Sequence, residues 1–479
     1  VPFFNNWDLL RHINLITHGG ELTMNLSTLI LSRIQFAFTI GFHIIFPTLN
    51  IGLAAFIVWM EGLWLKTHNP DYLKIAQFWT KIFALTFGMG VVSGIVMSYE
   101  LGTNFGNFTR VAGNVVGPLF GYEVLSAFFL EAGFLGVMLF GWKRVSPKLH
   151  FLATSLVAIG TIISAFWIMS ANSWMQTPAG YHIVNGNFVV TSWLQAIFNP
   201  SFLRRFFHMV LASMVTSLFV VAGISSWYLL RNRHEDIAKP CLRFALSAAL
   251  LLAPLQIVVG DLVGLRMHEY QPLKIAAIEA NWNTMQGAPL YLFALPDTKT
   301  AQNYYAISIP YGASLLNTHH LHGTLVGLKS VPRTDWPVVL PAFFGFRIMV
   351  GIGFLFFFVA FYGLWLKRRH TLYTNRIFQH CCVWISPLGF IATLSGWMTA
   401  ESGRQPWTIY NLLRTQDAAS AVPGHSVLIT LAMFIGIYGL TFGFYLYYLF
   451  KFIKQGPVHL DKAPPTIAYL PYPKDEDLP

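Results

Sequence analysis

Nine apolar stretches of roughly twenty residues or more recur along this chain, over 34–61, 78–100, 119–141, 150–171, 206–230, 242–260, 340–364, 384–401 and 425–450. A helix of about twenty residues crosses the ~30 Å hydrocarbon core of a bilayer. Within that core every backbone N–H and C=O must be satisfied internally, which a helix achieves within its own segment. The expected fold is therefore an all-α polytopic membrane protein, a helical bundle of about nine transmembrane helices. Composition agrees: 55% of the 479 residues are hydrophobic and 11% are Asp, Glu, Lys or Arg, where soluble chains carry about a quarter charged residues.

The net charge of +11 does not indicate nucleic acid, because the basic residues are scattered through short connections. Lys66 and Lys74, then Lys143, Arg144 and Lys148, then Arg231, Arg233, Lys239 and Arg243, then Lys367, Arg368, Arg369 and Arg376, and finally Lys451 and Lys454 mark every second connection. The alternate connections are poorer, with Arg110, then Arg204 and Arg205, then Arg404 and Arg414. The positive-inside rule then expects the N-terminus outside and the C-terminus in the cytoplasm. Residues 1–24 are mixed and polar in places, so the first apolar helix is expected to direct insertion itself. The expected organisation is an outer segment over 1–29, six spans over 30–260, an outer loop over 261–339, three spans over 340–450 and a cytoplasmic tail over 451–479. A loop that long should be partly folded, with a short helix from Pro272 to Trp282. Cys241, Cys381 and Cys382 form no CxxC or CxxCH pattern and read as small apolar residues.

Ionisable residues inside spans are costly and point to function. The informative ones are His43, Glu100, Glu123, Glu131, His208, Arg347 and Glu401, with Met349 beside Arg347. On the expected topology His208, Arg347, Met349, Glu401 and Glu123 lie near the outer ends of their helices, with His43 about two turns into its own. Glu123 and Glu131 are eight apart, about 80° around a regular helix, and so share a face. Imidazole and thioether without cysteine suit axial haem ligation, and Arg347 and Arg404 suit haem propionates. An ion or solute transporter coupled through Glu131 accounts for the same charges.

The strings LSRIQFAFTIGFHIIFP around His43, LGTNF at 101–105, AFFLEAGFLGVMLFGW at 127–142, SAFWIMSANSWMQTP at 164–178, KIAAIEANW at 274–282, FRIMV at 346–350 and GRQPW at 403–407 occur in order. Together they closely resemble subunit I of the cytochrome bd family of quinol oxidases, over roughly residues 30–460. The resemblance implies that His208 and Met349 are the axial ligands of a low-spin haem b. It implies that His43 and Glu401 are ligands in the site shared by a high-spin haem b and a haem d. Glu123 and Glu131 match acids tied to haem coordination or charge compensation and to proton delivery, Lys274 and Glu279 match the quinol-binding loop, and Arg347, Arg404 and Trp397 match residues around the haems. Asn172 and Trp174 are expected to support the site.

A second large membrane subunit, a small single-helix subunit, ubiquinol or menaquinol, and O2 are the implied partners, in the bacterial inner membrane. Two departures stand out. In SYELGTNF, Ser98 stands at the usual acid position and Glu100 at the usual glutamine position. After Glu279 the loop lacks the long insertion of some relatives and resembles the short-loop, cyanide-insensitive branch, in which haem b can replace haem d. A haem relay subunit without oxygen chemistry is the remaining alternative.

Overall fold

The computed structural model describes residues 14–18, 21–25 and 28–457. The outermost parts of the expected outer segment and cytoplasmic tail lie outside the described residues. Among the described residues nine helices are long and apolar enough to cross a membrane. They are α1 (Thr28–Thr67), α2 (Pro70–Thr103), α3 (Gly106–Lys143), α4 (Pro147–Gln176), α5 (Phe202–Leu230), α6 (Glu235–Tyr270), α7 (Val339–Arg368), α8 (Arg376–Ser402) and α9 (Gly424–Gln455).

Local chemistry sets several of these ends. Asn69 caps α2 by accepting from the Asp71 N–H, with Pro70 in the first turn. Ser146 caps α4 in the same way ahead of Pro147. Both use a side-chain oxygen and a proline where the helix has N–H groups without partners. α8 is interrupted between Ile385 and Leu388, at Ser386 and Pro387, because proline cannot donate to the preceding turn.

Hydrophobic packing ties α1, α2, α5, α6, α7 and α8 together around Leu53, Ile57, Trp79, Phe83, Phe219 and Phe356. The rings of Phe219 and Phe356 stack with centroids 3.9 Å apart. α1 and α5 approach so closely that a Cβ on Gly52 would lie 2.6 Å from the Ser213 carbonyl oxygen, and Ser217 Oγ donates to Leu49 O at 2.8 Å. In lipid, where apolar burial gives no net drive between helices, such small-residue contacts and cross-helix hydrogen bonds do the joining. The outer faces of α3, α6 and α9 instead expose Leu125, Phe129, Leu251, Val258, Leu440 and Phe444, as helices facing hydrocarbon do.

A fully buried pair absent from the sequence reading joins α1 to α4. His150 Nδ1 lies 2.6 Å from Glu61 Oε1, its Nε2 faces Met138 O at 3.2 Å, and Trp142 packs on its ring. Truncating one member of such a pair leaves a buried polar group unpaired, which costs about 3 kcal/mol or more. Glu61→Ala should therefore lower the thermal midpoint in detergent well beyond the effect of Glu61→Gln, which keeps a hydrogen-bonding oxygen. Equal midpoints for the two variants would remove this pair from the list of structural ties.

Between α6 and α7 the long connection folds as expected in outline. A short helix covers Pro272–Ile278 and ends before Ala280, whose φ is +49°. The sequence reading did not foresee the antiparallel hairpin that follows, Leu290–Asp297 with Gln302–Ile309.

Candidate functional site

The last turn of α8 places Glu401 at the end of the bundle that carries the long loop. Its carboxylate is buried and fully engaged. One oxygen accepts from Asn172 Nδ2 at 3.0 Å and Gln176 Nε2 at 3.3 Å, and the other accepts from Arg404 Nη2. Arg205 Nη2 donates to Asn172 Oδ1 at 2.5 Å, which sets the amide orientation. Asn172 and Gln176 sit one turn apart on α4 and so present one face to the acid.

Lys274, on the short loop helix, enters the same cluster from the other side. It is fully buried, and its ammonium donates to Gln176 Oε1 and to Gln271 Oε1, the latter at 2.8 Å. Its stem packs on Gly403, where an added Cβ would meet Lys274 Cγ at 2.5 Å. Burial first, then the cations Arg205 and Arg404, hold this amine well below its ordinary value of 10.5 against the opposing pull of Glu401.

Glu279 ends the same short helix, 1% exposed. It accepts from Arg347 Nη2 at 3.3 Å and Asn317 Nδ2 at 3.2 Å. Burial raises its carboxyl above the ordinary 4.5, opposed by Arg347 and Asn317. Arg347 also donates to the carbonyls of Tyr291, Ile278 and Phe343 at 2.6, 2.8 and 3.0 Å. The sequence reading offered Arg347 as a propionate partner; in the structure its guanidinium clamps the loop helix and the hairpin onto α7.

Three of the four candidate ligands, on separate helices, share one habit. His43 on α1 faces α2, with Nδ1 2.9 Å from Ser93 Oγ, and a Cβ on Gly94 would reach its ring at 3.2 Å. His208 on α5 faces α6 beside Gln256, over Gly260 at 3.1 Å. Met349 on α7 lies over Gly396 of α8, where a Cβ would reach its sulfur at 2.6 Å. Each sits against a residue with no side chain, one position from Trp397 in the case of Gly396. Trp397 itself is half-buried one turn before Glu401.

Glu100 is fully buried and accepts from Thr39, which lies one turn from His43, while Ser98 is exposed. Seven residues separate Glu100 from Ser93, two turns along one helix face. The acid in SYELGTNF is thus on the His43 side of α2.

α1 and α3 begin at Thr28 and Gly106, earlier than the hydropathy suggested. His43 is therefore about four turns into its helix and Glu123 near the middle of its own, not close to the end. A π turn at Val124–Phe128 separates Glu123 from Glu131. It inserts the equivalent of one residue, so the two acids fall about 20° apart instead of 80°. Both face α4: Ser164 Oγ donates to Glu123 at 2.8 Å, and Glu131 lies over Gly160, one turn away.

Among the described residues no three His, Cys, Asp or Glu side chains converge to hold a bare metal ion. A haem needs only one or two axial ligands and cations for its propionates. The residues present fit that demand: imidazoles and a thioether lie within the bundle, and Arg404 Nε and Nη1 and Arg205 Nε are buried without a partner among the described residues.

Fold and site together define a polytopic membrane protein with the donor set of an integral haem protein at its loop end. Residues 31–457 match the family Cytochrome bd terminal oxidase subunit I, and the chain belongs to that family. It is 35% identical to cytochrome bd ubiquinol oxidase subunit 1 of Bacillus subtilis (strain 168), over 91% of this chain and 95% of that one. It is 32% identical to cytochrome bd-II ubiquinol oxidase subunit 1 of Escherichia coli (strain K12), over 91% and 98%. The solved bd oxidase from Geobacillus thermodenitrificans superposes with a TM-score of 0.84 at 32% identity, over 90% of this chain and 99% of that one. The transporter and relay alternatives are not favoured by these similarities.

Gln176, Gln271, Arg205, Asn317, Ser93, Thr39 and Ser164 were not singled out from sequence as site residues. Only Gln176 carried a local signal, its one-turn spacing from Asn172 in SAFWIMSANSWMQTP.

Proposed function

We propose that this chain is the quinol-oxidising, haem-bearing subunit of a terminal oxidase that reduces O2 to water and generates a membrane potential without pumping protons. The observation that carries this reading is the burial of Lys274 and Glu279 on one short loop helix, with Lys274 hydrogen-bonded through Gln176 to Glu401.

His208 and Met349 would hold a low-spin haem b; His43 and Glu401 would serve the pair formed by a high-spin haem b and a haem d, or a haem b in its place. When bound, these groups supply electron transfer from quinol and the site of oxygen reduction. Lys274 and Glu279 bind the quinol head, and Glu279 accepts a hydroxyl proton when deprotonated. Arg347 fixes Glu279, so the acceptor does not reorganise. Arg404 and Arg205 supply positive charge beside Glu401. Glu123 and Glu131, aligned along α4, hold and pass protons drawn from the cytoplasm, and Glu100 holds a polar position above His43.

The N-terminus lies outside and the C-terminus in the cytoplasm, supported by the basic connections; α6 continues to Tyr270, so the outer quinol loop starts at Gln271 instead of 261 and ends at Val338. A second large subunit, and a small single-helix one, would cover part of the exposed apolar helix faces.

The test is oxygen consumption by the purified complex on added ubiquinol and menaquinol, with extracted-haem spectra. Quinol-dependent consumption by a haem-bearing complex is expected; a colourless protein, or haem without oxygen consumption, overturns the reading.

A further inference from the structure

We infer that Gln176 is a positioning residue that couples the quinol-loop lysine to Glu401, so that a change at Lys274 is felt at the carboxylate through one amide. The inference rests on the function proposed above and deepens it.

The geometry fixes the direction of this amide. Its oxygen accepts from the Lys274 ammonium and from Gln271 Nε2 at 3.0 Å, while its NH2 donates to Glu401 at 3.3 Å. Turned the other way, the NH2 would face the Gln271 Nε2 donor and the oxygen would face a carboxylate with only acceptors. One orientation therefore satisfies both neighbours. Gln176 is itself fully buried, so water does not replace either bond. The donors around it are also directional: Gln271 holds both Lys274 and the Gln176 backbone carbonyl, the latter at 3.0 Å.

Among the described residues Lys274 has no carboxylate partner, and its route of hydrogen bonds toward an anion passes through Gln176. Among the described residues Glu401 in turn has three donors, two of them amides on α4. Losing Gln176 removes a donor at one end and an acceptor at the other. The quinol loop and the carboxylate at the end of α8 thus share this side chain.

The experiment is a double-variant cycle in the whole purified complex, reading the reduced-minus-oxidised spectrum of the high-spin haems and the quinol KM. Gln176→Leu should raise the quinol KM about tenfold, the loss expected for a hydrogen bond to a charged group, and also shift the high-spin band. Lys274→Met should shift that band in the otherwise unaltered complex and leave it unmoved in the Gln176→Leu background. Gln176→Asn, which keeps the amide on a shorter arm, serves as the folding control and should retain full haem content.

Band shifts from Lys274→Met of equal size in both backgrounds overturn the coupling, as does a KM effect of Gln176→Leu with no spectral change. Quinol-dependent oxygen consumption by the unaltered complex stands apart from these arms, so the coupling can fail while the oxidase reading survives.

Discussion

Met349→Leu should remove the low-spin haem b band from the reduced-minus-oxidised spectrum and lower quinol oxidase turnover at least a hundredfold, while the oxygen-reactive haems remain. Leucine is close to methionine in volume and usually costs less than about 1.5 kcal/mol in a core, so the substitution deletes the sulfur with little disturbance of packing. Met349 packs closely on Gly396, where a Cβ would lie 2.6 Å from its sulfur, so the glycine accommodates the side chain that is replaced. The spectrum and oxygen uptake check this together. An unchanged low-spin band would mean that Met349 fills space and does not hold the haem.

Glu279→Ala should have the second largest effect, lowering quinol turnover a hundredfold or more while oxidation of an artificial donor such as a phenylenediamine falls far less. The variant removes the proposed proton acceptor and also leaves Arg347 buried without its carboxylate, which costs about 3–5 kcal/mol when the partner is not replaced. Glu279→Gln separates the two effects, since its amide keeps a hydrogen bond to Arg347 and cannot take a proton.

The pH dependence has a definite sign. The Glu279 carboxyl sits above its ordinary value of 4.5 because burial outweighs Arg347 and Asn317. The deprotonated acceptor is then lost at a higher pH than for an exposed glutamate, so the acid limb of quinol kcat/KM lies above 4.5 and is absent in Glu279→Gln. Equal losses with quinol and with the artificial donor would place Glu279 outside quinol oxidation.

How much of this was legible in the chain differs from residue to residue. The nine spans were readable because a bilayer imposes one local demand, about twenty apolar residues per crossing, that any stretch meets or fails alone. The short helix at Pro272 was readable for a similar reason, since proline at the first helical position is a local signal. The helix ends were less so: α1 and α3 continue past their apolar stretches into polar sequence, which hydropathy does not register. That shift moved Glu123 from the rim of its helix to its middle.

Other features depended on neighbours far along the chain. Nothing in SYELGTNF says which way Glu100 faces; Thr39, sixty-one residues earlier, decides it. The π turn that aligns Glu123 with Glu131 has no distinctive residue in Val124–Phe128, only an alternative hydrogen-bond pattern. Arg347 could have served any nearby anion, and the fold of the loop gave it Glu279 and three carbonyls.

The sequence by itself determined that this is a helical membrane protein, and its ordered strings carried the family and the candidate ligands. The tertiary structure alone decided that Lys274, Gln176, Glu401 and Arg404, from three separate parts of the chain, form one buried hydrogen-bonded cluster. The physical reason is that hydropathy and helix signals act over a turn or a span, whereas the partner of a buried charge is chosen by whichever distant helix the packing brings within about 3 Å.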